Sequence, residues 1–122
     1  MKLHFQKNDL VSAIQIVARA VASKTTMSIM ECILLDATEG KITLTGNKLE
    51  FGIETICPGE IVEPGKVALE AKLFQEIVKR LPQTENRNLS IETEDNGNCT
   101  IRCEKSVFKI MGRNADEFPS LP

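Results

Sequence analysis

Leu3 and Phe5 alternate with Lys2, His4 and Gln6, and that two-residue period predicts a short half-buried strand. Leu10, Ile14, Val17 and Val21 follow at helical spacing, a single apolar stripe that predicts a helix. Asn8 or Asp9 is placed to cap it, since either side chain can accept first-turn amides. The opposite stripe, Asn8, Ser12, Gln15 and Arg19, is polar, short-chained and poor in acid. After the aperiodic stretch from Ser23 to Ser28, three apolar segments predict strands, roughly Cys32 to Ala37, Lys41 to Thr45 and Leu49 to Cys57. Glu39-Gly40 and Gly46-Asn47 supply the turns. Leu49, Phe51 and Ile53 share a face while Ile56 falls out of phase, which predicts a bulge near Gly52. Pro58-Gly59 and Pro64-Gly65 bracket a loop.

The pattern then begins again. Val67 and Leu69 mark a short strand, and a helix runs from about Ala71 to Leu81, where Pro82 stops it. Phe74, Ile77, Val78 and Leu81 form its apolar stripe; Lys72, Gln75, Glu76 and Lys79, with Arg80 at the margin, form its polar side. Three further strands are predicted near Leu89 to Glu94, Cys99 to Glu104 and Ser106 to Met111, with Asn96-Gly97 as a tight hairpin signal. The closing run from Asp116 to Pro122, with its two prolines, reads as an exit into a linker. The order strand–helix–three strands therefore occurs twice, an α+β arrangement of eight strands in two sheets related by a pseudo-twofold axis. Both helices pack most economically on one side of the strands, with their polar stripes facing outward together.

Composition narrows the class. The 122 residues fit one domain, and 42% apolar content is enough for a core, built mainly from Ile, Leu, Val and Cys because Trp and Tyr are absent. No apolar run is long enough to span a bilayer and the opening residues do not read as a secretory signal, so the expectation is a cytoplasmic protein with no membrane partner. The net charge of −2 means that any contact with DNA requires basic residues segregated onto one surface. Cys99 and Cys103 alternate with polar neighbours around Ile101, which places both thiols on an apolar strand face rather than in a metal knuckle; with one His, zinc would need all four Cys to converge. Neither a phosphate-binding loop nor a nucleophile elbow is present, and His4 has no partner that spacing can assign. No catalytic residue, metal or cofactor is expected.

Several short motifs, in shared order and spacing, resemble one family. Leu44-Thr45-Gly46-Asn47-Lys48-Leu49-Glu50 is similar to a Leu-Thr-Gly-Thr-Asp-Leu-Glu turn, and Ser23 to Met30 to an Arg-x-Thr-x-Pro-Ile-Leu segment. Pro64-Gly65, Ala71-Lys72-Leu73-Phe74 and Val78-Lys79-Arg80-Leu81-Pro82 resemble its second strand and helix, and Ala115-Asp116-Glu117-Phe118-Pro119 its first domain boundary. The family is the beta subunit of bacterial DNA polymerase III, the sliding clamp, and the resemblance covers essentially the whole chain. It departs at Ser28, Met30 and Asn47-Lys48, and at Lys24, which keeps a family arginine's charge without its bidentate fork.

The resemblance implies a DNA-clamp fold of two βαβββ repeats, the two helices side by side on antiparallel sheets. Residues 1–122 would be the amino-terminal domain of a three-domain subunit, with the later domains absent, so that the chain is a fragment. Two such subunits close a homodimeric ring around duplex DNA, making the subunit a processivity factor that tethers the replicative polymerase rather than an enzyme. Polymerase and clamp loader are engaged through the later domains. Non-specific phosphate contacts fall to Lys24, Lys72, Lys79, Arg19 and Arg80, with Glu76 able to pair with Lys72 or Lys79. Phe108 and Ile110, on a last strand expected at a sheet edge, fall at the ring-closing interface. Two other readings stay open from sequence: an interaction module using its outer sheet, and a thiol-dependent or metal protein using the four Cys.

Overall fold

The computed structural model describes residues 1–22, 27–48, 51–83 and 85–120. The elements run β1 (Lys2–Phe5), α1 (Lys7–Ala18), β2 (Cys32–Asp36), β3 (Thr43–Lys48), β4 (Phe51–Ile56), β5 (Glu60–Glu63), β6 (Lys66–Glu70), α2 (Ala71–Arg80), β7 (Leu89–Thr93), β8 (Asn98–Cys103) and β9 (Ser106–Met111). They form two antiparallel sheets, one in the order β5-β1-β7-β8-β9 and one in the order β4-β3-β2-β6. Each repeat donates its opening strand to the other's sheet: β1 pairs with β7, and β6 pairs with β2. The two-repeat α+β reading holds, and this exchange ties the repeats into one body.

Among the described residues one strand more is present than the eight expected. The stretch between the two Pro-Gly pairs is not a loop: β5 pairs with β1 and forms an edge of the five-stranded sheet. Four residues of mixed polarity, exposed except for Ile61, carry no period that could announce a strand. The expected bulge near Gly52 is also absent. Register between β3 and β4 runs unbroken from Thr43↔Ile56 to Lys48↔Phe51, and Ile56 simply faces solvent on the outer side. The irregular register lies between Lys2 and Leu3, against β5.

Gly46-Asn47 is no turn either. Both residues lie inside β3 and are buried, and the expected position of Leu49 lies outside the described residues. Glycine is needed at 46 because α1 crosses β3 there; a Cβ would run into the carbonyl oxygen of Val17. By contrast the Asn96-Gly97 signal works as a turn, with Gly97 at φ +89° and its N–H donating to the Glu94 carbonyl at 3.0 Å.

A single core joins both helices to both sheets. Leu10, Ile14 and Val17 of α1 meet Phe74, Ile77 and Val78 of α2, with Leu3, Phe5, Ile33, Leu35, Leu44, Leu69, Leu89, Ile91 and Ile101 beneath. Cys99 and Cys103 are fully buried beside Ile101, as their alternation predicts. A smaller cluster of Ile29, Met30, Cys32, Ala68 and Phe118 covers part of the opposite face of β2 and β6. The closing run is therefore packed through Ser120 and is not a free linker over the described residues. Arg113 exchanges backbone hydrogen bonds with Ala68 (3.1 and 2.8 Å), and the buried Asn47 amide donates to the carbonyls of Pro119 (3.1 Å) and Ser120 (3.0 Å).

Candidate nucleic-acid interface

Helix α1 turns Leu10, Ala13, Ile14 and Val17 inward, so Asn8, Ser12, Gln15 and Arg19 are left exposed along one line. Its start differs from expectation. Gln6 occupies the cap position without a side-chain hydrogen bond to the helix, and Asn8 and Asp9 sit inside the first turn. Helix α2 is capped by a carboxylate, Glu70, which accepts from the Leu73 N–H at 2.6 Å. Glutamate is an uncommon cap, so composition gave little warning of it. With Ala71, Phe74, Ile77 and Val78 buried, α2 presents Lys72, Glu76, Lys79 and Arg80 to solvent, with Gln75 half-buried at the edge.

The two helices pack against each other with the start of α1 beside the end of α2. Lys7 fixes this geometry: its ammonium donates to the carbonyl oxygens of Lys79 (3.0 Å) and Leu81 (2.7 Å). A cation there satisfies carbonyls that the last turn of a helix leaves free and meets the negative end of its dipole. Lys7 is thus a clasp between helices, a role invisible in a sequence where its partner carbonyls lie more than seventy residues away.

Of the expected phosphate contacts, Arg19, Lys72, Lys79 and Arg80 are exposed on this helical surface, and Lys24 lies outside the described residues. Lys72 and Lys79, seven residues apart, sit about 10 Å from one another along α2. The pairing of Glu76 with Lys72 or Lys79 that spacing suggested does not form; Glu76 pairs instead with Arg80 at 3.6 Å, one turn on. Both members are mostly exposed, so solvent screens the pair and Arg80 is lightly held. Lys72 and Lys79 make no ion pair among the described residues. The face thus carries four basic side chains and one carboxylate among short polar groups. Such a surface attracts a polyanion without offering a shaped pocket to any one base.

Strand β9 lies at an edge of the five-stranded sheet, as anticipated. Phe108 and Ile110 share its core-facing side but stay half-buried, while Cys99, Ile101 and Cys103 on β8 are fully buried on the same side. The difference arises because no strand flanks β9 on its far side. Val107 and Met111 on the opposite side are largely exposed.

The thiols are placed for packing. All four are free and buried, and burial pushes Cys57 and Cys99 up to about 12 and raises Cys32 and Cys103. Among the described residues no three His, Cys, Asp or Glu side chains converge as metal ligands. The β1–β5 register does set Glu60 opposite His4, a neighbour that spacing could not assign. No described helix is long and apolar enough to cross a membrane.

Two βαβββ repeats, the first extended by the edge strand β5, strand exchange between their sheets and a shared helical face define a domain of the sliding-clamp class. The family described as DNA polymerase III beta subunit, N-terminal domain, matches residues 1–122. The beta sliding clamp of Bacillus subtilis is 36% identical over 130 aligned residues, covering 100% of this chain and 34% of that protein. A crystal structure described as a DNA polymerase III beta subunit from Eubacterium rectale superposes with a TM-score of 0.94 at 46% identity, over 100% of this chain and 33% of that one. For the DNA polymerase sliding clamp structure from Bacillus subtilis the values are 0.92 and 35%, with the same coverage. The chain belongs to this family, described as DNA polymerase III beta subunit, N-terminal domain. It spans about a third of the length of the relatives it matches.

Proposed function

We propose that this chain works as the first of three similar domains in a sliding-clamp subunit, two of which close a ring around duplex DNA. The observation that carries this is the shared outward face of α1 and α2, where Arg19, Lys72, Lys79 and Arg80 stand among Asn8, Ser12 and Gln15. A ring that slides needs modest, water-tolerant attraction to phosphates and no tight hold on a base. Lys24 joins this set through its match to the family's loop arginine. The ring acts in the cytoplasm as a processivity factor, with no cofactor of its own. Chemistry belongs to the polymerase it tethers, which, like the clamp loader, is engaged through domains outside this chain.

In the same reading β9 closes the ring against a second subunit. Its edge backbone groups and the uncovered halves of Phe108 and Ile110 offer hydrogen bonds and apolar surface together. The test of the DNA face is charge reversal of Lys24, Lys72 and Lys79 to Glu in the full-length subunit. Loading or retention on DNA falls in that variant while the ring still assembles. Unchanged loading and retention would show that DNA meets a different surface.

A further inference from the structure

Asn96 is the only asparagine of the chain followed by glycine, and the fold sets this pair at the tip of the β7–β8 hairpin. The pairing matters chemically. A backbone nitrogen on the carboxyl side of asparagine can attack the side-chain carboxamide, and only glycine leaves that nitrogen uncrowded by a Cβ. Asn96 is exposed, and with Gly97 it lines an open cavity of about 460 Å³ beside Gly112 and Arg113. Water therefore reaches both the carboxamide and the peptide that follows it.

Two hydrogen bonds hold the pair back from reaction. The Gly97 N–H donates to the Glu94 carbonyl at 3.0 Å, which ties up the proton the nucleophile must lose. The Asn96 Oδ1 accepts from the Asn98 N–H at 3.0 Å, which turns the carboxamide towards Asn98. The Glu94 N–H closes the tip by donating to the Asn98 carbonyl at 2.9 Å. Behind the tip, the Gly97 carbonyl accepts from the Gly112 N–H at 2.9 Å. Arg113, next along the chain, makes the backbone bridge to Ala68 in the four-stranded sheet. The turn is thus one residue removed from a joint between the two sheets.

We infer that Asn96 is a site of self-modification, converting to aspartate and isoaspartate when the hairpin tip opens. The Gly97 nitrogen gives its proton to solvent base and bonds to the Asn96 Cγ. The Cγ–Nδ2 bond breaks, and Nδ2 takes up a proton and leaves as ammonia. Water then opens the resulting succinimide. Addition at Cγ restores the ordinary backbone with a carboxylate side chain. Addition at the backbone carbonyl carbon breaks its bond to the Gly97 nitrogen, and the chain then runs through Cβ and Cγ. Water is consumed, ammonia is released, and nothing is oxidised or reduced. The isoaspartate product carries an extra methylene in its backbone, so the Glu94–Asn98 closure and the Gly97–Gly112 contact no longer fit together. Either product sets a further carboxylate beside the exposed Glu94 and Asp95, whose like charges repel it. The chemistry is local to the hairpin and does not depend on the function proposed above.

The test is incubation of the chain at mildly alkaline pH, folded and in urea, with digestion and mass spectrometry at intervals. Conversion concentrated at Asn96 is expected, faster in urea than in the folded chain, with ammonia released in equal amount. Gly97→Ala crowds the attacking nitrogen and slows conversion about tenfold in urea, where strain in the folded turn no longer enters. After chromatographic separation, the isoaspartate form should show faster hydrogen exchange than the parent at Gly112 and Ala68. Asn96→Asp, which keeps the backbone length, should exchange there as the parent does. Conversion no faster at Asn96 than at Asn8, Asn86 or Asn88, equal rates in the folded chain and in urea, or an unchanged rate in Gly97→Ala would overturn the inference. So would exchange in the isoaspartate form equal to that of the parent.

Discussion

The ammonium of Lys7 lies 2.7 Å from the carbonyl oxygen of Leu81, joining the first turn of α1 to the residue that ends α2. It also reaches the Lys79 carbonyl at 3.0 Å, so one side chain closes the helical face at that end. Lys7→Met retains the aliphatic stem and removes the donors. A stability loss of about 1–2 kcal/mol is expected, from two hydrogen bonds and a favourable dipole contact at a partly solvated site. Urea denaturation gives the magnitude. Hydrogen exchange should show the last turn of α2 opening first, and protection there equal to the parent would remove the clasp.

Gly46 tests how closely α1 lies on β3. A Cβ at this position meets the carbonyl oxygen of Val17, a backbone atom that cannot swing aside, and its second neighbour is the Val21 side chain. Gly46→Ala should therefore cost about 1–3 kcal/mol by overpacking. Gly40→Ala provides the contrast, since a Cβ there meets nothing and the cost is confined to the left-handed φ of +78°. If denaturation midpoints show Gly46→Ala to be the milder change, the close approach of α1 is wrong.

These positions also show what a sequence can and cannot disclose. The amphipathic stripes disclosed both helices, the basic side of α2 and the outward polar line of α1, because burial of an apolar face leaves a periodic trace; only Val21 of the first stripe falls beyond the helix, which ends at Ala18. Alternation likewise revealed Cys99, Ile101 and Cys103 as core. Gly46 misled: a glycine required by helix–strand contact looks the same as one required by a turn. Strand β5 was missed because an edge strand with charged ends needs no alternation. The Lys7, Glu70 and Asn47 hydrogen bonds depend on which backbone groups the fold brings near, and nothing in local pattern records that. Glu76 chose Arg80 over Lys72 and Lys79 from three cations at helical spacing.

The buried thiols give the fold a dependence on alkaline pH. Burial holds the protonated form of Cys57 and Cys99 in the folded chain, with both pushed up to about 12 from an ordinary 9.0. Below about pH 9 neither state ionises these thiols and their full contribution is present. As pH rises from there towards 12, the unfolded chain loses its thiol protons first and stability falls. Denaturation midpoints measured in reductant from pH 7 to 11 should decline above pH 9, and the decline should be shallower in a Cys57→Ala, Cys99→Ala double variant. Identical slopes would assign the decline to other groups.

Phe108 distinguishes an interface from a core. In the full-length subunit Phe108→Asp should give folded monomers, since a carboxylate would have to be desolvated at the ring-closing edge. Sedimentation reads the assembly and circular dichroism the fold. A folded dimer of undiminished affinity removes Phe108 from the interface, and an unfolded chain assigns it wholly to the core beside Ile101, its partner across β8 and β9.

The central claim is encirclement, and retention on circular against linear duplex DNA tests it most directly. Full-length subunits loaded onto nicked circles should stay bound in salt that dissociates ordinary phosphate contacts, and should be lost as soon as a restriction enzyme opens the circle. Reversal of the charges on the helical face should reduce loading or retention on circles without changing loss from linear ends. Equal retention on circular and linear DNA at every salt concentration would contradict the account, because that result describes a protein that binds DNA without surrounding it.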